Sequence, residues 1–333
     1  MPNLSRRHAL AGGISVSAIA ALGCMAGDAA NAAQPLAGAQ APGWYRYKIG
    51  DIEVTVVTDG TGRFRFADTH VSNKSREEVN AGLAAAFYPP DMMATPYNPV
   101  VINTGAKLVA IDPGVGEAAF ATSKGASGQF QANLKAAGID RSAIDIVLIS
   151  HFHGDHINGI LGADGQLAFP KAEVLVPAVE WKFFMDDGEM SRAPAGRMQD
   201  VFKNARRVFD TIGRKVMQYE AGKDVIPGIA AVATPGHTPG HVSHIVSSGS
   251  ASVYLQADVT HVPYLFARNP GWHAFYDQDG PLAEATRRKV YDMLTAERMP
   301  VQGFHYPFPS LAHVERTPTG YREVAMPWDT ALQ

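Results

Sequence analysis

The chain has 333 residues, of which 46% are hydrophobic and 18% are charged, so its composition is that of a globular protein with ample material for a core. The formal net charge is −3, and no stripe of lysine and arginine alternates with aromatic residues, so nucleic acid is not an expected partner. Cys24 is the only cysteine and lies in a predicted leader, which excludes disulfides, thiolate ligands and a cysteine nucleophile from the mature chain.

The first 32 residues have the pattern of an export signal. Arg6 and Arg7 precede an apolar run at 9–26 that is rich in glycine and alanine, and Ala30-Asn31-Ala32 is a cleavage motif. The paired arginines favour the twin-arginine route over a general secretory leader, and the small residues disfavour a membrane anchor. We therefore expect a periplasmic or secreted protein without a membrane span, with a flexible segment at 33–42 and one domain at 43–333.

Patterns of apolar and turn residues predict groups of strands separated by helices. A capping box at Ser75 and Glu78 begins one helix, and Pro177 begins another. Strands are predicted at 52–56, 100–103, 107–111, 144–149, 174–176, 231–232, 242–246 and 253–255, with a last one ending at 304; helices are predicted from 75 towards 87 and at 129–137, 178–185, 199–209 and 282–296. Runs of strands between single helices predict an α+β fold, with two mixed sheets packed together and helices outside.

The densest group of potential ligands follows the apolar strand at 144–149, in the sequence His151-Phe152-His153-Gly154-Asp155-His156. On a turn leaving that strand, His151 and His153 can face one point, while Asp155 and His156 face a second point nearby. Two adjacent binding points indicate two metal ions. Burying three imidazoles and a carboxylate together without a cation would be costly, which disfavours a purely structural role.

Three later residues complete the ligand set, each in a turn after an apolar strand: His237, Asp258 and His305. Two four-ligand sites that share one bridging residue need this number. Imidazole and carboxylate suit zinc, but also manganese, iron and cobalt, so ligand type alone does not choose among these metals.

The H-x-H-x-D-H motif, the turn at 235–241, the strand-terminal Asp258 and the late His305 resemble the metallo-β-lactamase-fold hydrolases over nearly the whole mature chain. This resemblance implies an αβ/βα sandwich with the site along one edge of the two sheets. It also implies that Asp258 bridges the metals and that Asp112 supports the ligands from behind. By the same resemblance, one metal would be held by His151, His153 and His237, and the other by Asp155, His156 and His305.

Within that superfamily the chain resembles the exported methyl parathion hydrolase group of organophosphate hydrolases and lactonases, through stretches at 41–46, 102–109, 133–138, 166–170 and 225–229. The resemblance implies that a hydroxide between the two ions, oriented by Asp258, attacks a neutral ester, lactone or phosphotriester. Asp258 and Asp155 are therefore the expected catalytic residues. Both a monomer and a homodimer are compatible with the resemblance.

Aromatic residues near the ligands predict an apolar substrate pocket. Few fixed charges accompany them, and no cation is evident that would bind a second anion, so neutral substrates are expected to be preferred over phosphomonoesters. The predicted lining residues are Trp181, Phe183, Phe184, Phe266, Trp272, Phe275 and Phe308.

The other histidines are expected to play smaller roles. We expect His241 and His244 to be hydrogen-bonded core residues and His70 to face solvent or a loop, whereas for His261 a place in the pocket and a place outside it weigh equally. Two other functions are compatible with the sequence, namely a redox enzyme of the same fold and a non-catalytic exported metal-binding protein. Hydrolysis of a chromogenic ester would separate the hydrolase from both.

Overall fold

The computed structural model describes residues 36–332, and the predicted export signal lies outside them. Residues 36–41 are exposed and carry no helix or strand. The strands, in chain order, are β1 (Trp44–Ile49), β2 (Ile52–Val57), β3 (Gly60–Arg65), β4 (Met92–Tyr97), β5 (Val100–Asn103), β6 (Leu108–Ile111), β7 (Ile146–Leu148), β8 (Glu173–Pro177), β9 (Met217–Tyr219), β10 (Asp224–Ile226), β11 (Ile229–Ala233), β12 (Val242–Ser248), β13 (Ala251–Leu255), β14 (Val301–Gln302), β15 (Leu311–Arg316) and β16 (Tyr321–Ala325).

Helices connect these strands, and two of them, α7 and α9, are long. The helices are α1 (Arg76–Ala85), α2 (Ala119–Thr122), α3 (Phe130–Ala136), α4 (Gly154–Ile157), α5 (Ala178–Phe184), α6 (Asp187–Arg192), α7 (Arg197–Thr211), α8 (Pro263–Phe266) and α9 (Gly280–Glu297). Within residues 36–332, no helix is both long and apolar enough to cross a membrane.

Two seven-stranded sheets form the framework of the compact unit that begins at Pro42. The first has the order β1-β2-β5-β6-β7-β8-β9, antiparallel up to β6 and parallel from β6 to β9. The second has the order β10 to β16 and is antiparallel except for the β13–β14 pair. The hairpin of β3 and β4 stands apart from both sheets.

The two sheets bury one core between them and one on each outer face. Val54 and Leu148 of the first sheet pack with Val246 of the second in the central core. On the outer face of the first sheet, Val147 packs against α3, α5 and α7. On the outer face of the second sheet, α9 covers β13, β14 and β15. Strands buried on both faces read as continuous apolar runs, which explains why the β7 segment was predictable.

The structure confirms the predicted α+β sandwich and most of its elements. The capping box at Ser75 and Glu78 is present, with both of its hydrogen bonds. Pro177 ends β8 and occupies the N-cap position of α5, whereas the first helical position was predicted for it. The prediction of a last strand ending at 304 is wrong, because β15 and β16 follow it. Apolar and charged residues alternate in both of these strands, but neither strand was predicted from the sequence.

Candidate metal centre

The predicted ligand motif leaves the end of β7 and continues into the one-turn helix α4. His151 and His153 precede α4, and His153 occupies its N-cap position, whereas Asp155 and His156 lie within the helix. A sharp change from strand to helix therefore separates the two halves of the motif. The structure places the halves in two adjacent ligand groups, as the sequence predicts.

The first ligand group brings together three loops, one from the first sheet and two from the second. The Nδ1 atom of His153 lies 3.1 Å from Nε2 of His151 and 2.8 Å from Nε2 of His237. An Oδ2 atom of Asp258 lies 3.2 Å from Nε2 of His237. Ligands placed tetrahedrally about 2 Å from a zinc ion are about 3.3 Å apart, so these separations fit a common ion.

The second ligand group shares Asp258 with the first. Asp155 Oδ2 lies 3.7 Å from Nε2 of His156 and 3.5 Å from Nε2 of His305. Asp258 presents Oδ1 3.2 Å from Nε2 of His156 and Oδ2 3.3 Å from Nε2 of His305. One carboxylate therefore faces both groups, which is the arrangement that a bridging ligand requires.

Buried atoms without hydrogen bonds test whether a cation fits this centre. Nε2 of His156 and Oδ1 of Asp258 are buried, face each other, and form no hydrogen bond within the described part of the chain. A buried polar atom without a partner costs about 1–3 kcal/mol. Because imidazole nitrogen and carboxylate oxygen are both metal ligands, a divalent ion between the groups would satisfy them. The residues present therefore fit the metal.

Asp112 lies behind the ligands, at the position the resemblance implies. Its Oδ2 is 2.8 Å from Nδ1 of His156, and its Oδ1 accepts a hydrogen bond from the Ser150 backbone at 2.8 Å. The Ser150 hydroxyl donates to Oδ2 at 2.6 Å and lies 3.0 Å from Nδ1 of His151. This network fixes the ring orientation of one histidine in each ligand group.

Three supporting contacts were not predicted from the sequence. Asp277 lies 2.8 Å from Nδ1 of His237, and Nδ1 of His305 donates to the Pro96 carbonyl at 2.8 Å. His241 is a buried, hydrogen-bonded residue, as expected, but its Nε2 also accepts the backbone N–H of Asp258 at 3.0 Å. All three contacts join segments far apart in the chain, so no local pattern points to them.

The pKa values of the histidines in the first ligand group are shifted in different directions. Burial, reinforced by neighbouring imidazoles, holds the pKa of His151 and of His153 well below the usual value, so both rings are neutral and able to bind metal. Burial also opposes protonation of His237, but hydrogen bonds to Asp258 and Asp277 raise its pKa to about 9. Metal binding at the first group would therefore release a proton.

His261 lies beside the metal centre, in contact with Asp258. The sequence alone had left a place in the pocket and a place outside it equally open. Its Nε2 is 3.0 Å from Oδ2 of Asp258, and its ring stacks on that of His305 at 4.4 Å. The ring of Tyr276 covers its other side at 4.0 Å. The Tyr276 hydroxyl is buried and has no hydrogen-bond partner within residues 36–332.

The predicted aromatic lining divides between a cavity and the core. A cavity of about 480 Å³, here called the aromatic cavity, includes Phe183 and Phe275 in its walls, together with Tyr276. Phe184 and Phe266 are instead fully buried in the core and are not among its lining residues.

The other predicted lining residues also lie outside the cavity wall. Trp181 packs between Phe152 and Phe209, and Trp272 lies against α1 at Gly82. Phe308 is exposed in the loop after β14. The pattern of aromatic residues alone did not separate wall from core, because both roles use the same side chains.

His70 and Arg197 differ in part from what the sequence predicts. His70 lies in the loop between β3 and α1, one of its two expected places, but it is buried among Phe64, Phe66, Phe275 and Tyr276 and does not face solvent. Arg197 lines the aromatic cavity, where no cation was expected, with its guanidinium carbon 5.0 Å from the ring centre of Phe275.

The fold and the site together define a class: a four-layered αβ/βα protein with a histidine and aspartate centre at the ends of its sheets. A family model, that of the metallo-beta-lactamase superfamily, matches residues 93–298. The chain belongs to this superfamily.

Comparison with individual proteins finds lactonases and another hydrolase. An N-acyl homoserine lactonase of a Bacillus species is 24% identical over 166 residues, covering 50% of this chain and 57% of the lactonase. A lactonase of Bacillus thuringiensis is 25% identical with the same coverage. The chain thus spans a little over half the length of these curated relatives.

Two solved structures cover most of the described chain. AidC, a dizinc quorum-quenching lactonase in complex with a product, superposes with a TM-score of 0.79 and is 23% identical, covering 87% of this chain and 99% of that chain. AbOPH, a hydrolase of the beta-lactamase superfamily, gives a TM-score of 0.79 and 26% identity, covering 87% of this chain and all of that chain. The likeness to AidC supports the shared fold.

Proposed function

We propose that this protein is a metal-dependent hydrolase that opens lactones and cleaves esters, with two zinc ions at the metal centre. The observation that carries the proposal is the position of Asp258, whose two oxygens face two separate groups of histidine and aspartate ligands. Support comes from the superfamily match and from the lactonases among the similar proteins.

The two ligand groups would hold one ion each, with Asp258 shared between them. Divalent ions at these points would lower the pKa of water and polarise a carbonyl or phosphoryl oxygen. The first ion would be bound by His151, His153 and His237, and the second by Asp155, His156 and His305.

Residues of the chain itself supply proton handling and orientation. Asp155 is the one ligand carboxylate with a partly exposed side chain, 25% accessible, so it is placed to pass a proton between the centre and solvent. Asp258 is 1% accessible and held by His241, so it is suited to orient the attacking water. The free hydroxyl of Tyr276 would donate a hydrogen bond to the substrate oxygen that gains negative charge.

The test is a substrate panel with purified mature protein, loaded in turn with zinc, manganese and cobalt. We expect measurable kcat/KM on aliphatic lactones and p-nitrophenyl esters, with phosphotriesters as a secondary activity and p-nitrophenyl phosphate at least about a hundredfold slower than the neutral ester. Hydrolysis that is absent with every metal would overturn the proposal. Oxygen consumption with a thiol or persulfide substrate would then favour the redox alternative.

A further inference from the structure

Two arginines line the aromatic cavity, Arg192 and Arg197, and neither is among the ligands of the metal centre. Arg197 is the first residue of α7, and its guanidinium carbon lies 5.0 Å from the ring centre of Phe275 and 5.9 Å from that of Tyr276. Within residues 36–332, Arg197 forms no ion pair and donates no side-chain hydrogen bond. Its neighbour Arg192, on the same cavity wall, is paired with Glu189 at 2.7 Å.

The cavity and the metal centre share a wall, so a ligand of Arg197 would lie beside the reacting bond. Tyr276 and Asp277 line the cavity. Tyr276 also stacks on His261, and Asp277 bonds His237. Burial lowers the pKa of Arg197, and the carboxylate of Asp155 is close enough to counteract this effect. The guanidinium is therefore within electrostatic reach of a metal ligand.

The geometry of Arg197 selects among anions. One face of its planar guanidinium is covered by aromatic rings, which leaves the N–H groups along its edge for a ligand. Such an edge matches the two oxygens of a carboxylate in a bidentate pair. Phe183, Met198 and Phe202 form apolar parts of the same wall, and Arg197 itself is exposed, so its N–H groups can be reached from solvent.

We propose that Arg197 binds a carboxylate that the substrate carries away from its scissile bond, so that the enzyme prefers monoanionic esters and lactones over neutral ones of equal size. The inference rests on the proposed function and narrows its substrate class. It also replaces the sequence-based expectation that no cation serves the pocket.

Binding of product-like acids tests the site without catalysis. Titration calorimetry on the zinc-loaded protein would compare succinate, glutarate and adipate with monocarboxylates of equal chain length. Both kinds of acid present one carboxylate to the metals, so any difference reports the second carboxylate. We expect at least one dicarboxylate to bind about tenfold more tightly, or about 1.4 kcal/mol, and this gain to disappear in Arg197→Met.

Kinetics with matched esters tests the consequence for specificity. The mono-p-nitrophenyl esters of the same dicarboxylic acids would be compared with neutral p-nitrophenyl pentanoate. Arg197→Met should lower kcat/KM about tenfold for the preferred anionic ester and less than about threefold for the neutral one. Arg197→Lys, which keeps the charge but not the fork, should fall between. Arg192→Met removes a neighbouring but paired cation and should retain the preference for the anionic ester.

The outcomes separate this inference from the proposed function. If no ester is hydrolysed but the preference for dicarboxylates depends on Arg197, the proposed hydrolase function is wrong and the proposed carboxylate site at Arg197 is supported. If esters are hydrolysed but no dicarboxylate binds more tightly than its matched acid, or Arg192→Met abolishes the preference as Arg197→Met does, the Arg197 site is overturned. Thermal unfolding of each variant shows whether it is folded.

Discussion

Two residues in the left-handed backbone region direct carboxylates into the metal centre. Asp112 has φ 50°, and Ala257, which precedes Asp258, has φ 47°. This conformation costs an L-residue roughly 1–2 kcal/mol, so it persists where surrounding contacts enforce it. Ser150 bonds the side chain of Asp112, and His241 accepts the backbone N–H of Asp258. The strained backbone at Asp112 and Ala257, each at the end of a strand, therefore orients the carboxylates of Asp112 and Asp258 towards the metal centre.

Asp277 offers the clearest test of a supporting residue. It is buried, and it contacts His237 at 2.8 Å and Arg287 at 3.4 Å. Asp277→Asn keeps an acceptor but removes the charge that makes His237 a more basic ligand, so we expect zinc affinity to fall at least about tenfold. Competition with a chelator would measure it. Asp279→Asn, two residues further on at the exposed N-cap of α9, is the control, and equal affinities in the two variants would contradict the role.

His70 should make the protein sensitive to acid. Burial, reinforced by the charge of Arg197, lowers its pKa to about 4 from 6.5. The unfolded chain therefore binds a proton that the folded chain resists, and stability falls as the pH drops from 6.5 towards 4. At pH 5 this one residue would cost about 2 kcal/mol of the free energy of unfolding.

The variant His70→Phe isolates this effect, since the site is already lined by aromatic rings. Urea unfolding at pH 7 and pH 5 should show that the variant loses about 2 kcal/mol less than the wild type over this interval. Comparing the same protein at two pH values cancels any packing change, and metal loading is kept constant. Parallel losses in both proteins would show that His70 does not cause the acid sensitivity.

At the scale of elements, α5 ties two ligand-bearing loops together through Glu180. Its Oε1 accepts the Phe152 N–H at 3.0 Å, within the first histidine motif. Its Oε2 accepts the Thr238 hydroxyl and the Gly240 N–H, both at 2.9 Å, in the turn that carries His237. A Cβ atom at Gly240 would lie 2.2 Å from the Glu180 backbone nitrogen, so glycine is required there.

Glu180→Gln should loosen both loops. An amide has one acceptor oxygen, so its NH₂ group must face at least one of the three donors and leave it unsatisfied. We expect a loss of about 1–3 kcal/mol in the free energy of unfolding and weaker zinc binding at the first ligand group. Denaturant unfolding and zinc titration would measure the two effects. Glu173→Gln, at an exposed position on β8, is the control. If Glu180→Gln loses no more stability and no more zinc affinity than this control, Glu180 does not hold the two loops together.

The elements also show what could be predicted from the sequence. The segment of β7 and the candidate ligands after it were predictable because a buried strand is a continuous apolar run and closely spaced histidines follow its end. The hairpin of β3 and β4 was missed because β3, with the sequence Gly-Thr-Gly-Arg-Phe-Arg, lacks that signal. The aromatic cavity was mispredicted in part because it joins α7 to the loop around Phe275, two segments whose proximity no local pattern encodes.

At the scale of the whole molecule, the metal centre joins the two sheets. His151 and Asp112 follow strands of the first sheet, whereas Asp258 and His305 follow strands of the second. The carbonyl of Pro96, at the end of the β3–β4 hairpin, holds His305 from a third direction. Ions bound between these segments would link them in the folded state, whereas an unfolded chain would not present the same set of ligands.

Metal removal should therefore lower stability, and its restoration should need two ions per chain. An ion at a hundredfold excess over its Kd stabilises by about 2.7 kcal/mol, so two sites give about 5 kcal/mol and raise Tm by about 10 °C. Stepwise zinc addition to chelator-treated protein, followed by calorimetry and elemental analysis, would measure both quantities. Asp258→Ala should bind fewer ions and gain less, because neither ligand group keeps the shared carboxylate. Saturation of the wild type at one equivalent, with full activity, would contradict the dinuclear centre.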